Sequence, residues 1–437
     1  MGSSRPIVVI NVVGLTPHLL DHAEHIKNLG HAHRAWSSPV PAVTCTSQAS
    51  MLTGQPPRVH GVVGNGWFYR DTEEIRFWQQ AASLVQAPMI DEQFETARMF
   101  WWFNQSSASK YSATPKPHYG CDGSKVFGIL DHTGCDLEEH LGPFPFFTFW
   151  GPGAGLPCSD WIARASARVI QTKTPELTLV YLPHLDYDFQ RFDDHNPDRV
   201  REVDKCLSHV IEAAQSVNAH IVIVSEYGLV KVNRAVCLNR ELRKAGYLSV
   251  RSGPFGEMLM PGESRAFAVV DHQVAHIYVP KPEDREPVQK RLQDVEGVDA
   301  VVDPGELSLD HPRSGELIAL SNHNAWFAYD YWLDESQAPD FAPTVDIHRK
   351  PGYDPRELFM TSKLRAAARL AQKKLGLRYK MDVIPLDNSL VRGSHGIQPS
   401  DPNDGPLIIG PQTDSIELPG DMQGFPDYLR ALRGRAT

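Results

Sequence analysis

Three short apolar runs constrain the fold more than any other feature of this 437-residue chain. They are "PIVVINVVGL" (6–15), "LTLVYLPHLD" (177–186) and "AHIVIVSEYG" (219–228). Each is nearly continuous in aliphatic, largely β-branched residues. That suits strands buried on both faces, as in a parallel sheet, rather than half-exposed strands. Between the second and third, "DRVREVDKCLSHVIEAAQSV" repeats its apolar residues at helical spacing. Strand, helix and strand in that order predict an α/β fold with a mostly parallel central sheet flanked by helices. Ligand sites in such sheets gather at the carboxyl ends of the strands. Those ends present Asn11 and Val13, then His184 and Asp186, then Glu226 and Tyr227, with Thr44 after a shorter apolar piece.

The rest of the chain is read around that sheet. "PHLLDHAEHIKNLG" (17–30) reads as a helix closed by Gly30. Residues 1–250 and 311–437 are assigned to the core, and 251–310 to a small inserted α+β cap with a helix at 282–293. Residues 85–160 are irregular and aromatic-rich ("MFWWFNQ", "GPFPFFTFWGPG") and are expected to hold short elements that form a lid. The aromatic run would either stack a base or sugar or be buried in that lid. Acidic residues outnumber basic ones, 53 to 43, for a net charge of −10. That balance argues against a nucleic-acid partner but allows a small anionic ligand. The six cysteines form no CxxC pair, so a zinc ribbon is not expected. With no signal segment and no span of about 18 apolar residues, the chain is expected to be cytoplasmic and free of membrane. A homo-oligomer is left open.

One stretch raises a chemical question. In "PAVTCTSQASMLTGQPPRVHGVVGNGW" (41–67) a short apolar piece gives way to a helix at Thr44, and a glycine-rich loop then delivers Asn65. Thr44 or Thr46 would cap that helix, or Thr44 would use its hydroxyl as a nucleophile with the helix N–H groups facing an anion. Further on, "YLPHLDYDFQ" holds Asp186 and Gln190, "SEYG" holds Glu226 and Tyr227, and "GSHG" holds His395.

The order of these segments resembles the alkaline phosphatase superfamily, and within it the nucleotide pyrophosphatase/phosphodiesterase and phosphonoacetate hydrolase group. The resemblance spans residues 7–396 and implies an alkaline-phosphatase-like core. It implies that Thr44 is the nucleophile and that Asn65 stabilises charge on a phosphoryl oxygen. It also implies that Asp186 and His395 ligate a divalent ion, zinc in the first instance. Four of the seven usual ligand positions are changed. Val13 stands for an Asp, Gln190 for a His, and Glu226-Tyr227 for Asp-His. Glu226 and Gln190 can still offer oxygen, whereas Tyr227 could ligate only as a phenolate. One ion is therefore expected rather than two, with none as the alternative. His184, His272, His348 and Arg392 are additional candidates, the first because alternate strand residues would share a face with Asp186. Asp271 and His276 in "DHQVAH" and Asp346, Arg349 and Lys350 in "VDIHRKPGYD" extend that set, His272 and His276 sharing a face whether helix or strand. The implied function is hydrolysis of a phosphate mono- or diester, or a phosphonate, through Thr44. The alternative is a metal-poor relative that binds a small molecule in the same cleft without hydrolysing it.

Overall fold

The computed structural model describes residues 5–121, 125–192, 196–413 and 416–434. In chain order, the strands that build its two main sheets are β1 (Ile7–Val12), β2 (Ala32–Ala35), β3 (Thr96–Met99), β4 (Tyr111–Pro115), β5 (Ile129–Asp131), β6 (Leu177–Leu182), β7 (His220–Val224), β8 (Phe267–Asp271), β9 (Val274–Tyr278), β10 (Val298–Val302), β11 (Leu317–Ser321) and β12 (Leu407–Gly410). The main helices are α1 (Thr44–Thr53), α2 (Leu156–Lys173), α3 (His184–Arg191), α4 (Pro197–Ser216), α5 (Pro282–Gln293) and α6 (Phe425–Arg433).

The central sheet has eight strands in the order β2-β12-β7-β1-β6-β3-β4-β5. The five strands from β7 to β4 are mutually parallel. Every residue of β1 and β6 is buried, which is why their sequences carry no polar alternation. Register fixes where the site forms. Ile7 pairs with Leu177 on one side and His220 on the other, and Asn11 with Tyr181 and Val224. The three strands therefore end level, and the residues after them emerge at one edge. Gly14, at φ +83°, turns the chain there, and a Cβ at that position would meet Leu229 at 3.1 Å and Leu185 at 3.4 Å.

The smaller sheet is antiparallel, in the order β8-β9-β11-β10, with α5 against β10. It has its own apolar core, which includes Phe68 and Phe77 from a two-stranded hairpin (66–77) and Tyr329 and Trp332 from beyond β11. The helix at 282–293 appears as expected. The sheet itself runs past residue 310, because β11 (317–321) lies between β9 and β10.

Two other expectations differ from the structure. Residues 17–30 form a 3-10 turn, Pro17–His22, and a single α-turn, Glu24–Lys27, rather than one helix. The segment 85–160, read as irregular, contributes β3, β4 and β5 to the central sheet. These strands have three to five residues, too few to show a period in sequence. Among the described residues no helix is long and apolar enough to cross a membrane.

Candidate active site

At the level ends of β1, β6 and β7 lies a cavity of about 370 Å³. Thr44, Tyr181, Asp186, Tyr187, Tyr227, His272 and Tyr353 line it, with Trp78, Trp102, Trp150, Phe127, Phe146 and Phe149 as aromatic walls. Much of that wall comes from the aromatic 85–160 segment, which thus does flank the cavity.

Thr44 is the first residue of α1, after Val43 in extended conformation. The helix has no side-chain cap, so the capping role weighed for Thr44 is not taken up. Thr46 does not take it either; its buried hydroxyl has no partner among the described residues. The Thr44 hydroxyl instead lies 3.1 Å from the Tyr227 phenol oxygen, which donates to Asp186 Oδ1 at 3.3 Å. Tyr227 has one proton, and burial beside Asp186 and Glu226 holds its pKa well above that of a free phenol. Thr44 must then be the donor in its own contact, giving a directed chain from Thr44 to Tyr227 to Asp186.

Asp186 lies in the first turn of α3. Its Oδ2 accepts from Gln190 at 2.8 Å, and Gln190 Oε1 accepts from the Tyr353 hydroxyl at 2.7 Å. Burial raises the Asp186 pKa to about 7, against the opposing pull of hydrogen bonds from Tyr227 and Gln190. Glu226 is fully buried, and its Oε1 accepts from Asn11 and Gln48, each at 2.6 Å. Burial raises its pKa to about 8.

His395 fixes its ring with Nδ1 2.7 Å from the Ala42 carbonyl, leaving Nε2 without a hydrogen-bond partner among the described residues and 3.6 Å from Asp186 Oδ1. Four rings stack in series across the floor. Tyr227 lies on His395 at 3.5 Å, His395 on His272 at 3.7 Å and His272 on Tyr353 at 3.7 Å. His272 Nδ1 is 2.8 Å from Asp271 Oδ1, and its Nε2 has no partner among the described residues. Burial pulls the His272 pKa well below the usual imidazole value.

Asn65 stands behind this floor. Its carbonyl accepts the Cys45 N–H at 3.0 Å, its amide donates to Asp271 Oδ1 at 3.1 Å, and its backbone N–H donates to Asp271 Oδ2 at 2.7 Å. Asn65 thus ties the start of α1 to the β8–β9 turn.

The donor set does not fit a two-zinc centre. Tetrahedral zinc needs about four N, S or O donors at roughly 2.0–2.3 Å per ion. Here Val13 offers none, the Asp186 oxygens already take Tyr227 and Gln190, and Glu226 Oε1 takes two amides. Asp186 and His395 face each other at 3.6 Å among the described residues, as the resemblance implies. Among the described residues, three metal-capable atoms within 4.8 Å of one another occur at His18, Asp401 and Asp404, which are exposed.

The remaining candidates are dispersed. His184 opens α3 instead of ending a strand, so two residues on it points away from Asp186, toward Glu202 at 3.5 Å. His348 is exposed at the cavity rim. Arg392 is exposed and does not line the cavity. His276 lies in β9 while His272 lies in the turn before it, so they do not share a strand; His276 bridges the Val63 carbonyl and the Gly315 N–H. Lys350 is buried against Asp354 and Glu357 at 2.8 and 2.7 Å, and Arg349 pairs with Asp346 at 2.7 Å. Sequence reasoning gave no role to Gln48, Tyr181 or Tyr353; "PGYD" offers no signal that Tyr353 stacks on a histidine 81 residues before it.

Comparison with known proteins places the chain. Phosphonoacetate hydrolase from Sinorhizobium meliloti, solved in complex with phosphonoacetate, superposes with a TM-score of 0.63 at 17% identity, over 98% of this chain and 96% of that one. Murine ectonucleotide pyrophosphatase/phosphodiesterase 5 superposes with a TM-score of 0.58 at 12% identity, over 99% and 96%. No curated protein matches by sequence. The profile of one family, type I phosphodiesterase/nucleotide pyrophosphatase, matches residues 7–354. The fold is that of the alkaline phosphatase superfamily, and the chain belongs to the type I phosphodiesterase/nucleotide pyrophosphatase family of hydrolases.

Proposed function

We propose that the chain hydrolyses a small phosphate ester or phosphonate, with Thr44 as nucleophile. The observation that carries this reading is the hydrogen-bonded chain from the Thr44 hydroxyl through Tyr227 to Asp186 on the cavity floor. Attack of Thr44 oxygen on phosphorus breaks the bond from phosphorus to the leaving oxygen, which departs with its electron pair (as p-nitrophenolate from the test substrates); the Thr44 proton passes to the Tyr227 oxygen and the Tyr227 proton to Asp186. Burial makes Asp186 a stronger base than an ordinary carboxylate, which suits that role. α1, a ten-residue helix, begins at the cavity-lining Thr44, and a helix N-terminus favours an anion, with the Cys45 N–H there already taken by Asn65.

Charge narrows the substrate. Asp186 and Asp346 are the acids among the lining residues, with Asp271 behind His272, and Lys116 is the lysine of the cavity wall. A monoanion, such as a phosphodiester or a phosphonate monoester, meets less repulsion there than a dianionic monoester. Aromatic walls favour an apolar or planar substituent on it. The neighbour solved with phosphonoacetate is in keeping with a small phosphonate as ligand.

The test is turnover of bis-p-nitrophenyl phosphate and of a p-nitrophenyl phosphonate. Thr44→Ala is expected to lower kcat roughly 10³-fold or more with the fold retained. Full activity in that variant overturns the assignment. One observation favours a second reading: both Asp186 oxygens and Glu226 Oε1 are already engaged inside the protein. On that reading the cavity binds the same class of anion without cleaving it. Saturable binding with no turnover would select it.

A further inference from the structure

We infer that the segment around the helix Lys363–Lys374 is a docking surface for an anionic lipid bilayer. The inference goes beyond the reaction proposed at Thr44 and does not depend on it. From residue 359 to residue 382 nothing is buried, although twelve of these residues form a regular helix. The longer helices α2 and α4 each bury an apolar face against the sheet and each other. An isolated helix of about 12 residues is marginal in water, and packing normally supplies the rest of its stability. Here the hold is polar. The Ser362 side chain accepts the Arg365 N–H at 3.4 Å, and Arg365 and Arg369 pair with Asp382 at 2.5 and 2.8 Å.

The face left in water is apolar and ringed by cations. Leu364, Ala368, Ala371 and Leu375 follow one another at helical spacing, so they form one stripe. All four are exposed, Leu364 at 83% and Leu375 at 73%. Met360, Leu370, Leu377 and Tyr379 are exposed around them. Residues 363–380 carry seven Lys and Arg and no Asp or Glu, in a chain whose net charge is −10. Arg365 and Arg369 are taken by Asp382, and Lys363, Lys373, Lys374, Arg378 and Lys380 stand exposed.

That density of positive charge selects a negative surface. The apolar pattern then selects lipid over a protein groove. A groove reads a helix through large anchors on successive turns, whereas the middle of this stripe is alanine. Met360, Leu377 and Tyr379 lie outside the helix, and Leu370 lies off the stripe. A bilayer interface needs no such register. Apolar side chains enter the headgroup boundary wherever they lie in the plane, while Lys and Arg keep their charged ends at the phosphates. Such a helix lies on a membrane and need not cross it; among the described residues none is long and apolar enough to cross. The segment joins the body of the protein beside the cavity. The Thr361 N–H donates to the Val383 carbonyl at 2.8 Å and closes its neck, and the Ile384 N–H donates to the Pro343 carbonyl at 2.9 Å, close in sequence to the cavity-lining Val345.

The test is co-sedimentation of the full chain with vesicles of phosphatidylcholine alone and of phosphatidylcholine with phosphatidylserine at about 3:1. Binding to the mixed vesicles is expected to exceed binding to phosphatidylcholine by about tenfold or more, and to fall as salt rises toward about 1 M. Leu364→Ser with Leu375→Ser, and separately Lys373→Glu with Lys374→Glu, should each weaken it by about tenfold or more. These side chains are exposed, so both variants should keep the wild-type melting curve. A wild type that does not bind the mixed vesicles, or variants that bind them as well as wild type does, overturns the inference. Sedimentation equilibrium without lipid separates the other occupant. A dimer that the two serine substitutions dissociate gives the face to a second copy of this chain and overturns the membrane assignment.

Discussion

At the scale of the residue, the floor of the cavity is organised by a phenol. Tyr227 stacks flat on His395 and links Thr44 to Asp186. Tyr227→Phe keeps the stack and removes both hydrogen bonds. Among the described residues it leaves Asp186 with Gln190 as the side-chain donor to its carboxylate. We expect kcat for the p-nitrophenyl diester to fall by about 10²-fold or more. Thermal unfolding should show a loss of about 1–3 kcal/mol from the poorly paired buried carboxylate. A variant with wild-type kcat removes Tyr227 from the proposed proton path. Histidines elsewhere give a separate handle on pH. His276 donates from Nε2 to the Val63 carbonyl and accepts the Gly315 N–H at Nδ1, and burial lowers its pKa to about 4. The unfolded chain therefore binds more protons than the folded one between about pH 4 and the usual 6.5. The stability that a neutral His276 contributes is lost as pH falls through that window. His276→Gln keeps both hydrogen bonds and does not titrate. Melting curves from pH 7 to 4 should show the wild type losing more stability than the variant, and parallel curves would refute this.

At the scale of the element, the level strand ends of β1, β6 and β7 do most of the positioning. This much was legible in sequence, because fully buried parallel strands write continuous apolar runs and their ends carry the polar residues. Asp186, Glu226 and Tyr227 were readable for that reason, Thr44 as the start of a helix after a short apolar piece, and His395 from the late "GSHG". What was not legible depends on contacts distant in sequence. Nothing local shows that Asn65 reaches Asp271, that Gln48 reaches Glu226, or that strand β6 stops at Leu182 and turns His184 away. The cavity wall shows the same dependence. Trp150 donates its indole N–H to Glu357 at 2.6 Å, and Glu357 is paired with Lys350 at 2.7 Å. Lys350→Met should leave Asp354 and Glu357 short of a cation and cost about 3–5 kcal/mol, as breaking a buried pair does. Urea unfolding measures it; a loss under about 1 kcal/mol would show that Arg356 on Asp354 and Trp150 on Glu357 satisfy those acids without the lysine.

At the scale of the whole molecule, a family fold surrounds an altered centre. Where the family resemblance implies metal ligands, this chain places Asn11 and Gln48 on Glu226, and Tyr227 and Gln190 on Asp186. Uncharged hydrogen-bond partners thus occupy the positions where cations would otherwise balance the two carboxyls. The consequence for the whole protein is a hydrolase site expected to act on monoanions and to tolerate chelation. The measurement that tests this most directly is bis-p-nitrophenyl phosphate turnover by wild type and Thr44→Ala, each with and without excess chelator. The account predicts wild-type turnover that survives the chelator and falls by roughly 10³-fold or more in the variant. Turnover abolished by chelator, or retained in Thr44→Ala, would contradict it.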